Sequence, residues 1–200
     1  MTHREELWNK AYKKNEVNEI SAFNSQVKLD KGNLICLCGQ MNEYVSKAVS
    51  YIAREFCKQS SKKVYFLSFD QCTEKLYDCT LNECEKYLDS LDDLGLAVID
   101  GFLHSKDSKT EECFEQKFGN MMRNLKIYTK NRNIPIIFTS GFFKNKNLAN
   151  PQNFMTCLLG NMICDCDTVM NVFKHSNTKA KIIIGKNRDR GFDAVTILLE

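Results

Sequence analysis

Four short apolar runs, each closed by a small or acidic residue and separated by stretches of helical period, constrain this chain more than any other feature. They are Asn33–Cys38, Lys63–Phe69, Leu94–Ile99 and Ile134–Thr139, followed by Gly39, Asp70, Asp100 and Ser140. Runs that are apolar at nearly every position, and this short, read as strands buried on both faces. Between them, Val45, Ala48, Val49, Ile52, Ala53 and Phe56 recur at helical spacing over residues 45–58. Residues 73–91 also read as helical. Residues 110–131 form a long amphipathic helix with Phe114, Phe118, Met121, Met122, Leu125 and Ile127 on its apolar side. Asp167–Phe173, Ala180–Gly185 and Ala194–Leu199 read as further strands. Strand–helix alternation of this kind predicts an α/β fold, a mostly parallel central sheet with right-handed crossovers and helices on its faces. In such sheets ligands gather at the carboxyl ends of the strands. The chemistry is therefore expected at the loops opening at Gly39, Asp70, Asp100 and Ser140.

Composition narrows the class. With 200 residues the chain is long enough for one domain that folds without a disulfide or metal. No apolar run approaches the roughly 18 residues of a membrane span. The start, Met-Thr-His-Arg-Glu-Glu, has no apolar signal region. A cytoplasmic protein with no membrane contact is expected. A net charge of +3 permits nucleic-acid binding without arguing for it. The 10 cysteines include no CxxC pair, and the histidines (His3, His104, His175) are not at zinc-ligand spacing. They are expected to be reduced, with Cys36 and Cys38 serving as small core residues, and no metal site is expected. Residues 1–19 form an N-terminal helix or arm, capped by Thr2, with Leu7, Trp8, Ala11 and Tyr12 on one stripe. Residues 20–200 form the α/β domain.

The first strand end opens Gly39-Gln40-Met41-Asn42-Glu43-Tyr44-Val45-Ser46, just before a helix. A phosphate-binding loop has Gly, four residues, then Gly-Lys-Ser/Thr at this place. Position and length fit, and Ser46 stands where the metal-binding hydroxyl would be. The rest departs. Tyr44 occupies the glycine position, Val45 the lysine position, and Glu43 puts a negative charge where backbone N–H groups should meet phosphate. Lys47 is two residues late, about 200° around the helix from Val45. The third strand ends in Asp100, the form of a Walker B strand whose carboxylate holds Mg²⁺. A carboxylate there could equally cap local N–H groups.

Taken together and in order, these pieces resemble the RecA-type motor domain of DnaB-type replicative DNA helicases. The resemblance runs from about residue 20 to the C-terminus. Leu29–Ile35 resembles the family's entry into its first strand, and Val64–Asp70 its second, which ends Phe-Ser-Leu-Glu. Met122–Lys126 with Asn133–Ile137 resembles the long helix and its Val-Pro-Val-Ile strand. Asp165-Cys166-Asp167-Thr168-Val169-Met170 is similar to Gln-Asp-Ala-Asp-Val-Ile. Ala180–Gly191, with Lys186, Arg188 and Arg190, is similar to the segment carrying Lys-Asn-Arg-Asn-Gly, a basic finger pair that reaches the neighbouring subunit's ATP.

The resemblance implies a RecA-like P-loop fold and assigns roles. Asp70 matches the glutamate that activates water, and Asp100 the Walker B carboxylate. Gly39, Ser46, Asp100, Lys186 and Arg188 fall at nucleotide-contacting positions. Loops after the third and fourth strands face nucleic acid in this family, which points to Lys106, Lys109, Phe142, Phe143, Lys144 and Lys146. Interleaved aromatics and lysines can stack bases and contact phosphates, although Phe142 and Phe143 could instead fill the core. The phosphate-loop glycine and lysine are missing, the water-activating glutamate is Asp70, and Gly141 replaces the γ-phosphate-sensing glutamine. Phosphoryl transfer depends on positioning and charge stabilisation, so altering these parts together argues against ordinary ATP hydrolysis. The expectation is a catalytically defective accessory factor of DNA replication or repair. It binds ATP/Mg²⁺ weakly or not at all, and engages single-stranded DNA or a helicase or recombinase subunit. The N-terminal helix offers an oligomer contact. The rival expectations are an active ATPase with an atypical loop, charged by Lys47 or a neighbour's Lys186, and a purely structural or inhibitory subunit.

Overall fold

Apolar side chains on both sides of a strand need a layer on each face, and the chain supplies both. The computed structural model describes residues 27, 29, 32–39, 42–60, 62–68, 80–101, 114–141, 164–177, 179–188 and 193–198. The elements are β1 (Leu34–Gly39), α1 (Asn42–Gln59), β2 (Lys63–Ser68), α2 (Leu81–Asp89), β3 (Leu94–Asp100) and α3 (Phe114–Arg132). They continue with β4 (Ile136–Gly141), β5 (Thr168–Lys174), β6 (Lys179–Asn187) and β7 (Asp193–Leu198). The strands form one sheet in the order β2-β3-β4-β1-β5-β6-β7. β1 to β5 run parallel, while β5–β6 and β6–β7 pair antiparallel. The expected mostly parallel sheet with flanking helices is therefore present.

The period of two sorts the strands into two cores. Ile35, Leu37, Leu96, Val98 and Ile137 face α1, where Val45, Ala48, Val49 and Ile52 are buried. Leu34, Cys36, Ile99, Ile136 and Phe138 face the other way, onto Cys84 and Leu88 of α2 and Met121, Met122 and Leu125 of α3. Ile127, expected on the apolar stripe of α3, is instead 53% exposed. It is two positions past Leu125, about 200° around the helix, and so points away from the core. The start of α2 is set by a capping box in which Thr80 Oγ1 accepts from the Glu83 N–H while the Thr80 N–H donates to Glu83 Oε2. Among the described residues no helix is long and apolar enough to cross a membrane. The N-terminal arm, residues 73–79 and the segment 154–163 lie outside the described residues.

Cys36, Cys38, Cys84 and Cys166 are buried free thiols, and Cys57 and Cys164 are exposed. The Cys38 hydrogen bond and burial push the Cys36 thiol up, and burial does the same to Cys166. Thiolate is the reactive form, so both factors suppress reaction. A maleimide at neutral pH is expected to label Cys57 and Cys164 in the folded protein, and the four buried cysteines only after denaturation. Peptide mass spectrometry would read this; equal labelling of Cys36 and Cys57 would contradict the packing.

Candidate functional site

Ser68, Asp100 and Gly39 end β2, β3 and β1, and Thr139 stands two residues before the end of β4, all on the pleat face that meets α1. The registers Ser68↔Asp100, Ile99↔Phe138 and Leu37↔Thr139 bring them side by side. Asp100 is buried, and three hydroxyls converge on its carboxylate. Ser46 Oγ, from α1, lies 2.9 Å from Oδ2 and 3.2 Å from Oδ1. Thr139 Oγ1 donates to Oδ1 at 2.5 Å, and Ser68 Oγ to Oδ2 at 3.4 Å. Thr139 Oγ1 in turn accepts the Gly101 N–H at 2.8 Å. Gly101 has φ 75, a left-handed turn that suits glycine and swings the chain off the strand directly after the carboxylate. Among the described residues, the groups that bond the Asp100 carboxylate are hydroxyls. Sequence reasoning missed Ser68 and Thr139. The available signal was the period of two, which puts Ser68 on the face of Val64 and Thr139 on the face of Ile137.

At the expected phosphate loop, α1 already begins at Asn42, so only Gln40 and Met41 stand between it and β1. Asn42–Val45 is a helical turn where a phosphate loop would be open chain. The local cause is apolar. Tyr44 and Val45 are both buried and form the first turn of the stripe that packs on the sheet. Val45 sits directly over Gly39: a Cβ on that glycine would lie 2.7 Å from Val45 Cγ2 and 2.8 Å from the Val172 carbonyl. Tyr44 reaches the β5–β6 turn, where its OH donates to the Ser176 carbonyl at 3.4 Å and Lys174 Nζ lies 5.5 Å from its ring centre. Lys47 pairs with Glu43 at 2.6 Å on the exposed side of the helix. That pairing lowers the Glu43 carboxyl and raises the Lys47 ammonium.

The oxygens of Ser46 and Asp100 suit a hard divalent cation held partly through water. Among the described residues of α1, no lysine meets the phosphates, because Val45 carries no charge and Lys47 is paired with Glu43. Among the described residues, the oxygen ligands of a metal end are present and the lysine of a phosphate end is not. Among the described residues, no cluster of three or more His, Cys, Asp or Glu side chains is placed to hold a metal.

Lys186 and Arg188 lie at the opposite edge of the sheet. Gly39 pairs with Val172, which pairs with Ile182. Arg188 is six residues further along antiparallel β6, roughly 20 Å away along the strand direction. One chain therefore cannot bring Gly39, Ser46 and Asp100 together with Lys186 and Arg188 in a single pocket. At that edge Asp167, just before β5, is a buried carboxylate clasped from three sides. Its Oδ2 accepts the Leu34 N–H at 2.8 Å and pairs with Lys126 of α3. Its Oδ1 pairs with Arg188 Nη1 at 2.8 Å. Lys186 Nζ reaches the Cys164 carbonyl at 3.4 Å. Sequence reasoning placed Lys126 and Asp167 within family-like segments without giving them a role. Asp70, Lys106, Lys109, Phe142, Phe143, Lys144 and Lys146 lie outside the described residues.

No family profile matches the chain, and no curated protein does. Solved structures match well. A structure described as an ATPase domain superposes with a TM-score of 0.75 at 10% identity, covering 96% of this chain and 92% of that one. A DnaB-like replicative helicase, described with its interactions with primase, gives a TM-score of 0.67 at 9% identity and covers 98% of this chain. The chain spans 65% of that helicase. The RadB recombinase gives a TM-score of 0.63 at 12% identity, covering 89% of this chain and 93% of that one. At these identities the likeness carries the architecture alone, and that architecture is a RecA-like ATPase fold.

Proposed function

We propose that this chain is a helicase-like accessory protein of DNA replication or repair that does not hydrolyse ATP by the ordinary route. It engages a helicase or recombinase subunit, or single-stranded DNA. The observation that carries this reading is the pairing of a retained Ser46–Asp100 contact with a helical, Val45-filled first turn. A transferring phosphoryl group develops charge that must be met by preorganised cations and N–H groups. Here the side chain at the lysine position is apolar and buried, and the nearest lysine on α1 is held by Glu43. Arg188, at the far edge of the sheet and half exposed, is suited to act on a nucleotide held by another subunit. The DNA contact rests on the composition of residues 142–146. An intact Ser46–Asp100 pair also favours a second reading, in which the protein binds Mg²⁺–nucleotide without turning it over.

Two measurements test the proposal. A fluorescent ATP analogue is titrated onto the pure protein with and without Mg²⁺, and ATP turnover is followed alongside. Absence of saturable binding up to millimolar nucleotide, with no turnover, is expected. Metal-dependent binding lost in Asp100→Asn, without turnover, would move the second reading forward. Turnover lost in Asp100→Asn would overturn the proposal. Separately, the protein is added to a DnaB-type helicase whose ATP turnover is measured. A change in helicase turnover that Arg188→Ala removes is expected.

A further inference from the structure

We propose that Asp167 is a positioning residue for Arg188, presenting its guanidinium as a pre-set anion contact at the amino-terminal edge of the parallel strands. The inference rests on the reading that Arg188 meets a phosphate held by a partner subunit.

The geometry is that of a fixed holder and an accessible grip. The Asp167 side chain is 6% exposed and that of Arg188 50% exposed. The carboxylate cannot swing, because the Leu34 N–H and Lys126 both hold Oδ2 while Oδ1 faces Arg188. Arg188 is anchored twice, since its own backbone N–H donates to the Asp167 carbonyl at 2.9 Å and its Nη1 meets the carboxylate. A free arginine at a strand end samples many rotamers and loses that side-chain entropy when a ligand fixes it. Holding it beforehand removes much of that cost from the binding step. Guanidinium has five donors in a planar fork, so one bond to Asp167 does not exhaust it. Half of the side chain remains open to an anion arriving from outside. A carboxylate needed only to join β5, α3 and β1 would be satisfied by Lys126 and Leu34. The direct bond to a half-exposed arginine is what a purely structural role leaves unexplained.

The helicase turnover assay tests this with Asp167→Asn, Arg188→Ala and the double variant, together with binding of each variant to the helicase by fluorescence anisotropy. Asp167→Asn is expected to reduce the effect on helicase kcat about tenfold, the scale of one misplaced charge-assisted hydrogen bond. Its binding to the helicase should stay within about twofold of the parent, and the double variant should be no worse than Arg188→Ala, as for two residues acting as one unit. An Asp167→Asn protein with the full effect on kcat, where Arg188→Ala has none, overturns the positioning role and leaves the function standing. An Arg188→Ala protein with the full effect overturns the function reading, and the positioning role with it. If Asp167→Asn lacks a cooperative melt, Lys126→Met replaces it. That variant keeps the Asp167–Arg188 bond but loosens the holder, and an intermediate loss of effect is expected. An undiminished effect there overturns the proposal.

Discussion

Asp167→Ala is expected to lower unfolding free energy by about 3–5 kcal/mol, the cost typical of removing one partner from a buried ion pair. The loss is large because three groups are stranded together. The Lys126 side chain is 12% exposed and keeps a charge without a counter-charge. The Leu34 N–H, at the start of a fully buried strand, loses its acceptor. Arg188 loses less, since half of its side chain can be hydrated. The double variant Asp167→Ala with Lys126→Met should recover part of the deficit, because methionine can line the same site without a charge. Denaturant midpoints of the parent, both single variants and the double variant would measure this. Additive losses, or an Asp167→Ala cost below about 1 kcal/mol, would mean that the clasp is solvated and contributes as little as a surface pair.

The second large effect is expected at Phe138. Its side chain is fully buried in β4, packed among Cys36, Ile99, Met122 and neighbouring core residues. Phe138→Ala should cost about 3–5 kcal/mol, combining lost transfer energy with the cavity left behind. For a chain of this size that corresponds to a melting point lower by roughly 10 °C. Phe138→Leu should cost far less, because it keeps most of the volume. The next residue, Thr139, holds Asp100, but its side chain points to the opposite face of the sheet. The hydroxyl network should therefore survive in Phe138→Ala at low temperature. A similar cost for alanine and leucine at this position would show that ring shape, and not volume, dominates.

The sheet was legible because burial on both faces leaves a pattern that does not depend on distant residues. The runs ending at Gly39, Asp100 and Ser140 were each placed within two residues of the observed strands. Ser46 and Asp100 were each singled out as nucleotide-site positions, but their direct hydrogen bond was not expected. Helix starts were less well placed. Residues 42–44 read as part of a loop because Gly39 and Ser46 have phosphate-loop spacing, yet the burial of Tyr44 and Val45 draws that turn into α1. The capping box Thr80–Glu83 was present in the sequence and would have set the start of α2. The Asp167 clasp was not legible, because Leu34, Lys126, Asp167 and Arg188 are up to 154 residues apart (188 − 34) and no local spacing rule links them.

By itself, then, the sequence determined the alternation of strands and helices, the burial of the strands on both faces and the absence of a lysine at position 45. These are local properties, set by the periods of 2.0 and 3.6 and by residue type. Tertiary structure alone decided that three hydroxyls converge on Asp100 and that Val45 closes over Gly39. It also decided that Lys186 and Arg188 stand at the edge away from Ser46. The reason is strand order. β6 runs antiparallel beside β5, so its carboxyl end meets the amino ends of the parallel strands.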